Sequence, residues 1–71
     1  MSKRYIKQLA QFGLKVKSLR IKNKLTQVQL AGLMDVDVKT IKRIEKGDYN
    51  PTLVIIFALS EALETETKNL L

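Results

Sequence analysis

The sequence predicts an all-α fold: one domain, residues 1–71, built as an orthogonal bundle of five short helices. Apolar residues recur at spacings of three and four along most of the chain, the period of a helix with one buried face. Residue types that cap helices stand where that rhythm breaks. The chain of 71 residues is 45% hydrophobic and has no Cys and no His. A domain this small buries only about 60% of its unfolded surface. It must therefore hold together by helix packing, with neither a disulfide nor a Cys/His zinc site as a staple.

Tyr5, Leu9, Phe12, Val16 and Leu19 follow a four-three rhythm, which predicts a first helix of about 20 residues with these on its inner face. Gly13 lies inside it at a cost of roughly 0.5–1 kcal/mol relative to Ala, a sign of close packing. Thr26 and Gln29 have the spacing of a capping box and open the second helix, with Leu25 and Leu30 as a hydrophobic staple. Its inward positions are Leu30, Ala31, Leu33 and Met34. Asp35-Val36-Asp37 breaks the pattern. Asp37 caps a third helix, Val38 to about Lys46, closed by Gly47. After the loop Asp48-Tyr49-Asn50-Pro51, either Asn50 or Thr52 caps a fourth helix, about Leu53 to Leu63. Leu53 to Phe57 could also be a buried strand, but helical spacing continues to Leu63 and no partner strand exists. Leu53, Ile56, Phe57 and Leu63 suffice for its share of the core. A short fifth helix from about Thr65 to Leu71 completes the bundle.

Charge is divided unevenly along the chain. Residues 1–34 carry Lys3, Arg4, Lys7, Lys15, Lys17, Arg20, Lys22 and Lys24 and no acidic residue. All seven acids lie from Asp35 onward against five bases, so that part sums to −2 and the whole chain to +6. A basic half on a small domain points to an anionic partner, nucleic acid or a membrane surface. No stretch reaches the roughly 18–20 apolar residues of a membrane span, and no signal-peptide core opens the chain, so a cytoplasmic location is expected. The inventory lacks the His and Cys of nucleophilic triads. No enzyme, catalytic residue, metal or cofactor is expected.

At about 100° per residue, Ile41, Ile44 and Glu45 mark the inner face of the third helix, and Lys39, Lys42, Arg43 and Lys46 form an i, i+3, i+4, i+7 stripe opposite. Such a stripe on an isolated helix is as readily a solvated face. Here it follows a short capped helix across a tight turn, the layout of a helix-turn-helix at about 27–46.

The set Leu25-Thr26-Gln27, Leu30-Ala31, Val36, Ile41, Ile44-Glu45-Lys46-Gly47 and Asn50-Pro51-Thr52, with Phe12-Gly13, Leu19-Arg20, Leu63 and Leu70, resembles the lambda-repressor-like helix-turn-helix family. The likeness, of Cro/repressor or xenobiotic-response-element type, covers residues 12–71. It implies a five-helix domain that binds double-stranded DNA, usually as a homodimer on a palindromic operator. Through it Gln27 matches a phosphate-contacting glutamine, and Val38, Lys39, Lys42 and Arg43 match positions facing the major groove, with Thr40 on the flank. Asn50 and the Gly47–Asn50 backbone match a second phosphate clamp, and Arg20 and Glu45 an internal ion pair. The family often has glycine where this chain has Lys24, Asp35 and Glu64, so each site is expected to need positive φ.

The fourth helix is too apolar for a lone bundle helix, leaving Val54, Ile55 or Ala58 for an interface. By analogy with similar proteins, Val54, Ile55, Leu70 and Leu71 are the dimer candidates. The expected function is a sequence-specific transcriptional regulator, a repressor reading the major groove with residues 38–46. The alternative is an antitoxin or coactivator-type interaction protein whose main role is binding another protein. Membrane-surface binding through the first helix is disfavoured, because its apolar face is needed by the core.

Overall fold

A computed structural model describes residues 3–71. Met1, Ser2 and the side chain of Lys3 lie outside the described residues. A 3₁₀ turn, Lys3–Tyr5, leads into α1 (Ile6–Lys22), followed by α2 (Gln27–Met34), α3 (Val38–Lys46), α4 (Leu53–Ala62) and a second 3₁₀ turn, Thr67–Asn69. The described residues contain four α-helices and no strand.

The fold therefore corrects the expected count of five helices. The segment after α4 forms only the Thr67–Asn69 turn, whose preceding residue Glu66 makes no side-chain cap. The left-handed backbone of Glu64 ends the helical run of α4, and the Thr65 N–H turns back to the Ser60 carbonyl. Leu70 nevertheless anchors the chain end, fully buried in the core.

Capping chemistry places the elements. The Thr26 hydroxyl accepts the Gln29 N–H at 3.0 Å and the Thr26 N–H donates to Gln29 Oε1 at 2.8 Å, a complete capping box. Asp37 Oδ1 accepts the Lys39 N–H at 2.8 Å. Thr52, not Asn50, caps α4 by accepting the Ile55 N–H. Lys24, Asp35 and Glu64 have φ of 58°, 55° and 52°, as expected from the glycine-favouring sites.

The core joins Phe12 and Val16 of α1, Leu30 and Ala31 of α2, Ile41 and Ile44 of α3, and Ile56 and Leu59 of α4, with Leu63 and Leu70. Helix α1 packs chiefly on α3, and α2 bridges α3 and α4. Gly13 makes the first contact possible: a Cβ there would overlap the carbonyl oxygen of Ile44 and lie 2.9 Å from that of Glu45. Asn23 ties the far ends together, its amide donating to the carbonyls of Leu19 and Leu63.

Four expected core positions are exposed instead: Tyr5, Leu33, Leu53 and Phe57. Tyr5 belongs to the 3₁₀ turn, outside the register of α1. Leu33 sits about 60° round α2 from Leu30 on the side away from Ala31, and that flank of the helix is exposed. In α4 the inward stripe runs Ile56–Leu59–Leu63, supported by Ile55 and Ala62, which turns Leu53, Val54 and Phe57 outward.

Candidate nucleic-acid interface

Helix α3 buries Ile41 and Ile44 and exposes Lys39, Lys42, Arg43 and Lys46. Nine residues thus present four cations on one side of a helix fixed at both ends. Val38 and Thr40 are half-buried at its start, and Asn50 is exposed in the loop beyond its end.

One ion pair sets the attitude of this helix. Arg20 donates from Nε to Glu45 Oε2 at 2.7 Å and from Nη2 to Glu45 Oε1 at 3.1 Å. Its Nη1 donates to the Leu25 carbonyl at 2.8 Å. The guanidinium therefore joins α1, the entrance to α2, and α3. Both side chains are largely buried, and two parallel charge-assisted bonds fix angle as well as distance.

Gln27 joins the same network, its Nε2 donating to Glu45 Oε1 at 3.1 Å. The first residue of α2 is thereby held against α3. Its capping box satisfies the Gln29 N–H, and the N–H groups of the first two helical residues have no intrahelical partner by geometry, a favourable place for a phosphate oxygen.

Beside it an open hollow of about 420 Å³ is lined by Lys17, Arg20, Gln27, Lys42, Glu45 and Lys46. Arg20 and Glu45 offset one another, so three lysines leave the hollow positive. Lys17 is a contributor that the motif did not supply. Its place one turn before Arg20 on α1 is the sequence signal that could have found it. A second such residue is Tyr49, whose ring lies under Arg43, with 5.6 Å between Cζ and the ring centroid. Arg43 Nε also lies 3.8 Å from Asp48 Oδ2.

The expected residues thus fall into two groups. Gln27, Lys42 and Lys46 meet at the hollow, and Lys39 and Arg43 extend the same cationic face of α3. The expected dimer residues do not come together as one exposed patch. Val54 and Leu71 are exposed, Ile55 packs partly on the core, and Leu70 is inside it. Among the described residues, no helix is long and apolar enough to cross a membrane. No group of three or more potential metal-ligating side chains is found among them either.

A tight α2–α3 helix pair, its second helix tied to α1 by a buried ion pair and lined with cations, is the arrangement of a helix-turn-helix DNA-binding domain. The helix-turn-helix family model matches residues 16–69, and the chain belongs to this family, in its xenobiotic-response-element type. It is a DNA-binding transcription regulator. The fold is similar to the crystal structure of the restriction-modification controller protein C.AhdI from Aeromonas hydrophila. The two share 34% identity with a TM-score of 0.87, over 90% of this chain and 97% of that one. No curated protein sequence matches the chain.

Proposed function

We propose that this chain is a sequence-specific repressor that binds a palindromic operator as a homodimer and reads the major groove with Val38–Lys46. The observation that carries the reading is the exposed stripe Lys39, Lys42, Arg43 and Lys46 on a helix whose angle is fixed by Arg20 and Glu45. Rigid placement is what base readout requires, whereas a mobile basic tail would bind any duplex. Arg43 or Lys39 has the chemistry to meet guanine O6 and N7, and Val38 that to meet a thymine methyl. In this reading Gln27 and Asn50 meet the phosphates that flank the groove. The similarity to C.AhdI supports a control role in a restriction-modification system.

The dimer contact in this reading is the outward face of α4. Leu53, Val54 and Phe57 are all more than half exposed there, and Leu71 adds a further exposed apolar side chain. Ile55 contributes its uncovered edge, while Leu70 lies within the core. A two-fold pair would set two recognition helices about 34 Å apart, one turn of DNA.

The test is selection from a randomised duplex library at two salt concentrations. Enrichment of a short inverted repeat that persists at the higher salt supports the reading. Flat enrichment that vanishes with salt overturns it and turns attention to a protein partner.

A further inference from the structure

Arg43 differs from the three lysines of its stripe in that two neighbours hold its head. Its Cζ stands 5.6 Å from the centroid of the Tyr49 ring, and its Nε stands 3.8 Å from Asp48 Oδ2. Both neighbours come from the two residues that follow the helix-closing glycine, and backbone geometry puts them there. Gly47 turns left-handed at φ 78°, the Gly47 N–H donates to the Ile44 carbonyl, and the Asp48 N–H donates to the carbonyl of Arg43 itself at 2.9 Å. The chain doubles back over the end of α3, so residues 48 and 49 lie against the flank of residue 43.

The two neighbours do different things. Tyr49 packs partly on the core, which makes its ring an anchored platform. A cation over a ring face is attracted to it, and a long side chain restrained there loses less freedom when its fork meets a base. Asp48 is exposed and carries negative charge on a surface that approaches a polyanion. Its carboxylate weakens any loose association of Arg43 with a phosphate. Guanine offers two coplanar acceptors in return for the exchange, where a loose phosphate contact offers charge alone.

Resting on the reading of the chain as an operator-binding regulator, we propose that Tyr49 and Asp48 are specificity-determining positioning residues for Arg43. Tyr49 aims the guanidinium, and Asp48 withholds it from phosphates until a guanine edge takes it.

The experiment is the library selection repeated with Asp48→Asn, Tyr49→Leu, Tyr49→Phe and Arg43→Ala, alongside affinities for the selected operator and for unrelated duplex. Asp48→Asn strengthens binding to unrelated duplex more than binding to the operator, so the specificity ratio falls. Tyr49→Leu loses about tenfold in preference at one operator position, the position that Arg43→Ala also relaxes. Tyr49→Phe keeps the ring and keeps the preference. In DNA-free protein, side-chain ¹⁵Nε relaxation of Arg43 shows restricted motion in the parent and Tyr49→Phe chains and faster motion in Tyr49→Leu. Asp48→Asn changes an exposed residue and leaves folding intact, so its arm stands even where Tyr49→Leu loosens the core. An unchanged specificity ratio in Asp48→Asn, or an unchanged preference profile in folded Tyr49→Leu, overturns the proposal. If the parent chain enriches no operator, the operator-binding reading itself fails. If parent and variants enrich one operator with identical profiles, that reading stands and this assignment alone falls.

Discussion

Glu45 receives Arg20 through two hydrogen bonds, at 2.7 Å on Oε2 and 3.1 Å on Oε1, and also accepts the amide of Gln27 on Oε1. One carboxylate thus sets the angle between α3 and both helices that precede it. The pair sits largely out of solvent, so each charge depends on the other for its compensation.

Truncating either partner therefore costs more than the pair contributes as a pair. Glu45→Ala strands the Arg20 guanidinium, and Arg20→Ala strands the carboxylate. Each is expected to lower unfolding free energy by about 3–5 kcal/mol. Replacing both by apolar residues of similar volume, Arg20→Met with Glu45→Leu, recovers much of that loss but not the DNA affinity, since Gln27 loses its acceptor on α3. Urea titration of the two truncations and the double replacement checks the order.

Gly13 and Gly32 are both helical glycines and respond in opposite senses to a methyl group. At Gly13 the added Cβ meets the backbone carbonyls of Ile44 and Glu45, which cannot move aside as a flexible side chain would. Gly13→Ala is expected to destabilise by about 1–3 kcal/mol and to shift α3 against α1. At Gly32 the space around the new Cβ is open to 4 Å. Gly32→Ala gains about 0.5–1 kcal/mol from helix propensity alone. Thermal denaturation of the two variants displays the opposite signs.

Lys24 and Glu64 hold left-handed backbone with side chains that pay for it, at φ 58° and 52°. The αL conformation costs an ordinary L-residue roughly 1–2 kcal/mol, and glycine's extra unfolded-state freedom returns part of that. Lys24→Gly and Glu64→Gly are each expected to stabilise by up to about 1 kcal/mol. Asp35→Gly gains less, because Asp is among the residues that enter αL routinely. Chemical denaturation midpoints rank the three, and an Asp35→Gly gain larger than the other two would contradict the strain argument.

These sites show what the sequence made legible. Thr26 with Gln29 declared its capping box by spacing, and Asp37 and Gly47 marked the ends of α3, because caps are local chemistry. The Arg20–Glu45 pair and the three left-handed positions came from the family resemblance, since nothing in spacing alone brings residues 20 and 45 together. The rotation of α4 was not legible: with apolar residues at 53 through 59 apart from none, every face of its first turns looks inward, and only the packing of Ile56 and Leu59 selects one. The 3₁₀ ending was hidden for a related reason, as Leu70 signals burial without saying what backbone delivers it. Tyr49 and Lys17 escaped because each is defined by its neighbours, Arg43 in one case and the lysine-lined hollow in the other.

The outward face of α4 gives a direct test of self-association. Val54 is 73% exposed, so a charge there leaves the monomer's core untouched. Val54→Asp is expected to keep the thermal stability of a single chain and to abolish the dimer in sedimentation equilibrium. Its affinity for a two-half-site operator then falls toward that for a single half-site.

The contacts to DNA separate by how each variant fails. On the proposed reading Gln27 is a neutral phosphate ligand, so Gln27→Ala is expected to lower affinity about equally for every sequence with the salt dependence unchanged. Lys46→Ala removes a cation at the hollow, so the slope of log K against log salt shrinks by about 0.9 per subunit. On the same reading Arg43 is a base-reading fork, so Arg43→Ala is expected to relax preference at one operator position by about 1–3 kcal/mol. The three signatures are uniform loss, salt-slope loss and position-selective loss, all measurable on one operator and its single-base variants. A selective loss in Gln27→Ala would move that residue from the phosphates to the bases, and an unchanged profile in Arg43→Ala would take Arg43 out of the groove.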